Sequence, residues 1–156
     1  MLKANQTKKL KANGAHFAII ASTYNARYVD AMLRAARAEI LRAGGALQIV
    51  RVPGAFEIPV VAARLARQFN SDQEPAAILC LGVILRGATT HAQHIGEAVS
   101  NALAQIQILH EVPIIHEVLL LENEQQAKER CLSRKHNRGM EAAQTALKMT
   151  QVMQNL

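Results

Sequence analysis

The hydrophobic pattern along the chain changes period several times, and the changes alternate regularly. HFAIIA (16–21) is a short unbroken apolar run, the signature of a strand covered on both faces. Val29, Met32, Leu33, Ala36, Ile40 and Leu41 then recur at helical spacing, and Gly44-Gly45 supplies the left-handed stop such a helix wants. LQIV (47–50) predicts a second strand, and VPG turns the chain into a helix carrying Ile58, Val61, Ala62, Leu65 and Phe69. AAILCLGVIL (76–85) predicts a third strand, Ile95, Val99, Ala102, Ile106 and Leu109 a third helix, and VPIIHEVLLL (112–121) a fourth strand. Two helices follow, one over about 123–132 and one with Ala142, Ala146, Met149 and Met153 on a single stripe.

Strands alternating with helices imply right-handed crossovers and a four-stranded parallel sheet between two helical layers, a three-layer α/β/α sandwich. No repeat, linker or low-complexity segment suggests a second unit, so residues 1–156 are expected to form one domain. In such folds the ligand sits at the carboxyl ends of the strands, near the point where strand order reverses. The loops that follow the strands are therefore where chemistry is expected.

Composition narrows the classes. Half of the 156 residues are apolar and 19% are charged, as in an ordinary globular protein, and aromatics reach only 3% with no Trp, which leaves little for base stacking. The net charge of +6 owes much to Lys3, Lys8, Lys9 and Lys11, with no acid among them, so residues 1–14 are expected to be a flexible basic tail. Neither a nucleic-acid nor a membrane partner is expected. Cys80 and Cys131 stand 51 positions apart, which is no disulfide framework and no metal spacing. A reducing, cytoplasmic setting follows, since the start resembles no signal peptide and no apolar stretch approaches the ~20 residues needed to span a bilayer.

Four loops carry candidate chemistry. STYN (22–25) offers two hydroxyls, an aromatic ring and an amide; VPGAFEIP (52–59) turns at Pro53-Gly54 and places Glu57 near a helix start; RGATTHAQH (86–94) follows the third strand; Arg130, Arg134, Lys135 and Arg138 cluster after the fourth. Gly87 lets the backbone bend around a ligand, while Thr89, Thr90 and the amides ahead of the helix can donate to an anion. His91 stands at that mouth, where an imidazole can relay protons. A phosphorylated substrate undergoing acid/base chemistry fits this equipment, but a threonine at a helix start also serves as an N-cap, so the loop alone supports both readings. His91 and His94 form an HxxH pair that no nearby Cys, Asp or Glu completes, so no metal is expected there.

VPGAFEIP, LGVILRGATTH (81–91) and ENEQQAKER with NRG (122–130, 137–139) resemble lumazine synthase, collinearly from about residue 16 to 153. The resemblance implies a flavodoxin-like strand order 2-1-3-4 and a cofactor-free reaction in riboflavin biosynthesis. In it, 5-amino-6-(D-ribitylamino)uracil condenses with 3,4-dihydroxy-2-butanone 4-phosphate to give 6,7-dimethyl-8-ribityllumazine, phosphate and water. Carried over by position, Tyr24 stacks on the pyrimidine, Ala55, Phe56 and Glu57 hold the ribityl chain, and the backbone of Val83, Ile84 and Leu85 reads the pyrimidine edge. Ala88 and Thr89 form the phosphate-side loop, His91 transfers protons and Arg130 grips the phosphate. His116 falls where many members have a Phe that covers the pyrimidine from a neighbouring subunit. The chain also has Leu120-Leu121 for the usual Thr-Thr, Arg138 for the usual Lys, and a 133–139 loop that lacks the usual internal Gly, its one glycine being the last residue, Gly139. The resemblance further implies a homo-oligomer built on pentamers with active sites at subunit interfaces; a non-catalytic flavin- or lumazine-binding relative, or a shell-forming one, is the alternative.

Overall fold

The computed structural model describes residues 9–68 and 74–156. Its strands are β1 (His16–Ser22), β2 (Ala46–Val52), β3 (Ala77–Leu85) and β4 (Ile114–Leu121), all parallel, in the order β2-β1-β3-β4. The long helices are α1 (Ala26–Arg42), α2 (Ile58–Ala66) and α3 (His91–His110), with a short α4 (Glu124–Ala127) before α5 (Arg138–Gln154). The expected three-layer architecture and strand order are both present. Phe69, expected on the stripe of the second helix, lies outside the described residues.

The unbroken apolar runs became strands because both faces of the sheet are covered. In β1, Phe17, Ile19 and Ala21 pack with Val29, Met32 and Ile40 of α1 and with α5, while Ala18 and Ile20 pack with α2 and α3. The central strands β1 and β3 are almost wholly buried, whereas edge strand β2 exposes most of its residues. Ser22 and Ala21 at the end of β1 have their carbonyls tied by Arg51 of β2, whose guanidinium also meets Asp30 of α1 at 2.7 Å.

Two expectations divide. Residues 1–8 of the expected tail lie outside the described residues, but Leu10 and Ala12 pack against the core and the Ala12 amide donates to the Ala43 carbonyl at 2.8 Å. The helix expected over 123–132 is α4 followed by a π-helical turn, Lys128–Leu132, which buries Cys131 and carries Arg130 outward. α1 ends as expected, with Gly44 at φ 83°, a region glycine enters without steric cost.

α1 and α5 approach closely. A Cβ on Gly139 would lie 2.0 Å from the Met32 carbonyl oxygen, so only glycine fits. Asn137 caps α5 by accepting from the Gly139 and Met140 amides, and donates to the Cys131 carbonyl at 2.6 Å.

Candidate active site

The strand order reverses between β1 and β3: the chain leaves β1 toward β2 on one side and leaves β3 toward β4 on the other. A ligand cleft is expected beyond the carboxyl ends of those strands. A cavity of about 490 Å³ opens there, within the size range of small-molecule sites.

Its walls come from three loops. After β1, Thr23 and Tyr24 donate their amides to the Pro53 carbonyl, which draws the loop onto the end of β2. The Tyr24 ring lies against Gly54, where a Cβ would be 2.9 Å from two ring carbons, and remains 66% exposed at the mouth. After β2, a 3-10 turn (Ala55–Glu57) leads into α2. Glu57 turns one carboxylate oxygen back to accept from the Gly54 amide at 2.9 Å, so it acts as a local helix-start acid and still lines the cavity. Phe56 is 60% exposed at the rim.

The third wall is the end of β3 and the start of α3. Val83, Ile84, Leu85, Gly87, Thr89 and His91 line the cavity. Thr90 occupies the N-cap position of α3, yet its hydroxyl makes no capping bond and instead meets the His94 ring at 3.3 Å. The Thr89 hydroxyl accepts from the His91 amide at a long 3.4 Å. Capping by Thr90 therefore does not consume the positive end of this helix, which faces the cavity. Arg86 is spent on Glu122, at 2.9 Å, and on Gln93, at 3.3 Å.

Of the residues expected at the site, Tyr24, Ala55, Phe56, Glu57, Val83, Ile84, Leu85, Thr89 and His91 come together around one cavity, and Ala88, His116 and Arg130 do not line it. Ala88 is exposed in the loop. Arg130 is exposed on the π-helical turn and, among the described residues, its guanidinium forms no ion pair. His116 lies on β4, where its Nδ1 accepts the Val118 amide at 3.1 Å and its Nε2 meets the Ser100 hydroxyl of α3 at 2.8 Å. A ring nitrogen that accepts from a backbone amide carries no proton, so Nε2 holds the hydrogen and donates to Ser100. Partial burial of this ring holds its pKa below the usual imidazole range.

Arg138, also on the β4 side, forks onto Glu117, with Nε and Nη2 each 3.0 Å from a carboxylate oxygen, and its Nη1 reaches Glu141 at 2.8 Å. Burial pushes the Glu117 carboxyl up despite this partner. A lysine could not make that planar two-point contact, which gives the arginine here a physical reason. Gly87, expected to bend around a ligand, lines the cavity, as do Asn25 and Gly54, which the candidate loops included without a role, and Ala92 and Ile95, which carried no expectation at the site. For Asn25 the available signal was a short amide side chain just before a helix, ordinarily read as a cap.

Both cysteines are free and buried, and the Cys80 thiol is pushed well above its usual range by burial inside β3. Neither can supply a ready thiolate nucleophile. Among the described residues no three His, Cys, Asp or Glu side chains gather at metal-binding distance, and no helix is long and apolar enough to cross a membrane.

Comparison with known proteins agrees with this geometry. Residues 14–154 match the family model described as 6,7-dimethyl-8-ribityllumazine synthase. A protein of that name from Stenotrophomonas maltophilia (strain R551-3) is 39% identical over 145 residues, covering 91% of both chains. One from Aquifex aeolicus (strain VF5) is 38% identical over 151 residues, covering 95% of this chain and 96% of its own. One from Desulfotalea psychrophila is 37% identical over 150 residues, covering 94% of each. With a matching model over nearly the whole chain and relatives covered over nearly their whole length, the chain belongs to the 6,7-dimethyl-8-ribityllumazine synthase family.

Proposed function

We propose that this protein is a 6,7-dimethyl-8-ribityllumazine synthase, a transferase of riboflavin biosynthesis. The observation that carries the reading is the convergence, in a member of this family, of an aromatic ring, a carboxylate, the end of β3 and a His-bearing helix start on one cavity at the strand-order reversal. Tyr24 stacks on the pyrimidine, Ala55 to Glu57 take the ribityl hydroxyls, and the end of β3 meets the ring edge. The phosphate of the second substrate lies at the amides of the α3 start beside Thr89.

The 5-amino group of the pyrimidine attacks the ketone carbonyl, and loss of water gives an imine. Proton removal from the four-carbon unit expels phosphate, and the ribitylamino nitrogen then closes the second ring with further loss of water. His91 at the cavity mouth moves the protons. Most of the acceleration comes from holding two substrates in a reactive geometry.

The position of Arg130 and His116 outside the cavity supports the subunit arrangement of this proposal. A second copy in a pentamer brings its Arg130 to the phosphate as a two-point grip and its His116 ring to the pyrimidine. Exposed apolar side chains on two helices, Ile108 and Leu109 on α3 and Val60 on α2, offer the surface for such contacts. We place the protein in the cytoplasm, where its free cysteines stay reduced.

Mixing the purified protein with both substrates tests the proposal. Lumazine absorbance and fluorescence should appear without added metal or cofactor, and pyrimidine binding without product would instead identify a non-catalytic binder. His91→Ala should lower kcat by about 10²-fold without abolishing turnover. Arg130→Ala should raise KM for the phosphate substrate by roughly 10- to 100-fold, the loss of one charge-assisted contact. Single-turnover rates unchanged in both variants would remove these two residues from the site.

A further inference from the structure

Asn25 precedes α1, where an asparagine ordinarily caps the helix by accepting from its first amides. Here it does not: its side chain makes no capping bond, and its backbone is left-handed at φ 58°, ψ 40°. Outside glycine, asparagine is among the few residues that tolerate this region, and such conformations persist where surrounding contacts hold them. The side-chain amide instead reaches across 58 positions of sequence and donates to the Val83 carbonyl at 2.7 Å.

The need for that bond follows from the sheet. β1 pairs with β3 only as far as Ala21 opposite Leu81. Residues of a parallel strand direct their backbone groups alternately to the two neighbours. The Ile78 and Arg86 amides donate toward the β4 side, to Pro113 and Leu121, so Val83 presents its backbone toward β1, past the last paired residue. Asn25 fills that place. Its own carbonyl meanwhile accepts from the Tyr28 and Val29 amides and starts α1. Tyr24, one residue earlier, is tied through its amide to Pro53 and rests its ring on Gly54.

We propose that Asn25 is a positioning residue for the ring substrate: by clamping the end of β3 while its left-handed backbone turns the chain, it fixes the gap between the Tyr24 ring and Val83. This rests on the proposed lumazine synthase activity, in which that gap receives the pyrimidine. The residue acts through Tyr24 and Val83, so its effect belongs to one substrate and not to the other.

The test is steady-state kinetics on Asn25→Gly and Asn25→Asp with each substrate varied in turn. Glycine keeps the left-handed backbone without the amide; aspartate keeps the shape but sets a carboxylate against the Val83 carbonyl. KM for 5-amino-6-(D-ribitylamino)uracil should rise about tenfold in the glycine variant and further in the aspartate variant. KM for the butanone phosphate, the elution volume and the thermal midpoint should stay near wild type. A purely structural role would move both substrates and the midpoint together, and that result, or two unchanged KM values in an active enzyme, overturns the inference alone. A wild-type protein that makes no lumazine overturns the functional proposal, and this inference with it.

Discussion

His116 shows how much a single ring is constrained by its own chain. Both nitrogens are committed in the neutral state, Nδ1 to the Val118 amide and Nε2 to Ser100, and its pKa lies below the usual imidazole range. Protonation would place an N–H against the Val118 N–H. A histidine with a folded pKa below its unfolded one binds fewer protons when folded, so stability is complete above the unfolded value near ~6.5 and is lost as pH falls toward the folded value. Thermal midpoints measured between pH 7.5 and 5 should therefore fall toward acid, and His116→Phe should flatten that slope. A slope unchanged by the substitution would assign the pH dependence elsewhere. Bonded through both ring nitrogens within its own chain, His116 is held on β4 away from the cavity, whereas His91 lines it.

At the scale of elements, the α1–α5 contact is the least forgiving part of the fold. The Met32 backbone stands where a Gly139 side chain would go, and a backbone atom cannot rotate away. Gly139→Ala should cost about 3 kcal/mol, at the upper end of overpacking penalties, and lower the melting midpoint by roughly 6–12 °C. Asn137→Ala removes the α5 cap and leaves the Cys131 carbonyl without its donor, at a cost of about 2 kcal/mol or more. Calorimetry on both variants checks the order. The strands and long helices were legible in the apolar pattern, because a sheet covered on both faces selects unbroken apolar runs and a helix buried on one face selects apolar residues at helical spacing. The helix expected over 123–132 was legible as an element but not in its form. The π-helical turn Lys128–Leu132 coincides with a buried Cys131 whose carbonyl accepts from Asn137 beyond the turn, a pairing that hydrophobic periodicity does not encode.

For the whole molecule, the decisive question is how copies combine. If Arg130 of one subunit serves the cavity of the next, mixed oligomers of His91→Ala and Arg130→Ala chains contain some cavities with both wild-type residues. Unfolding the two variants together and refolding them should then yield more activity than the two refolded apart, whereas a site confined to one chain would give only their average. Size exclusion should place the protein at five chains, about 85 kDa for a 17.0 kDa subunit, or at a multiple of that.

The sequence by itself determined the layer architecture, the parallel sheet and the three loops that meet at the site. Each depends on local pattern: apolar runs, Gly and Pro turns, and polar residues placed after strands. It also marked Tyr24, Glu57, Thr89 and His91, whose chemistry is visible in the residue type. Only the tertiary structure decided which of the marked residues share a cavity, separating His116 and Arg130 on the β4 side from the rest. It alone set the Asn25 amide on the β3 carbonyl of Val83 and spent Arg86 and Arg138 on ion pairs. The reason is physical: a side chain's role is set by which partner it reaches, and partners distant in sequence become neighbours only once the sheet order and helix packing are in place.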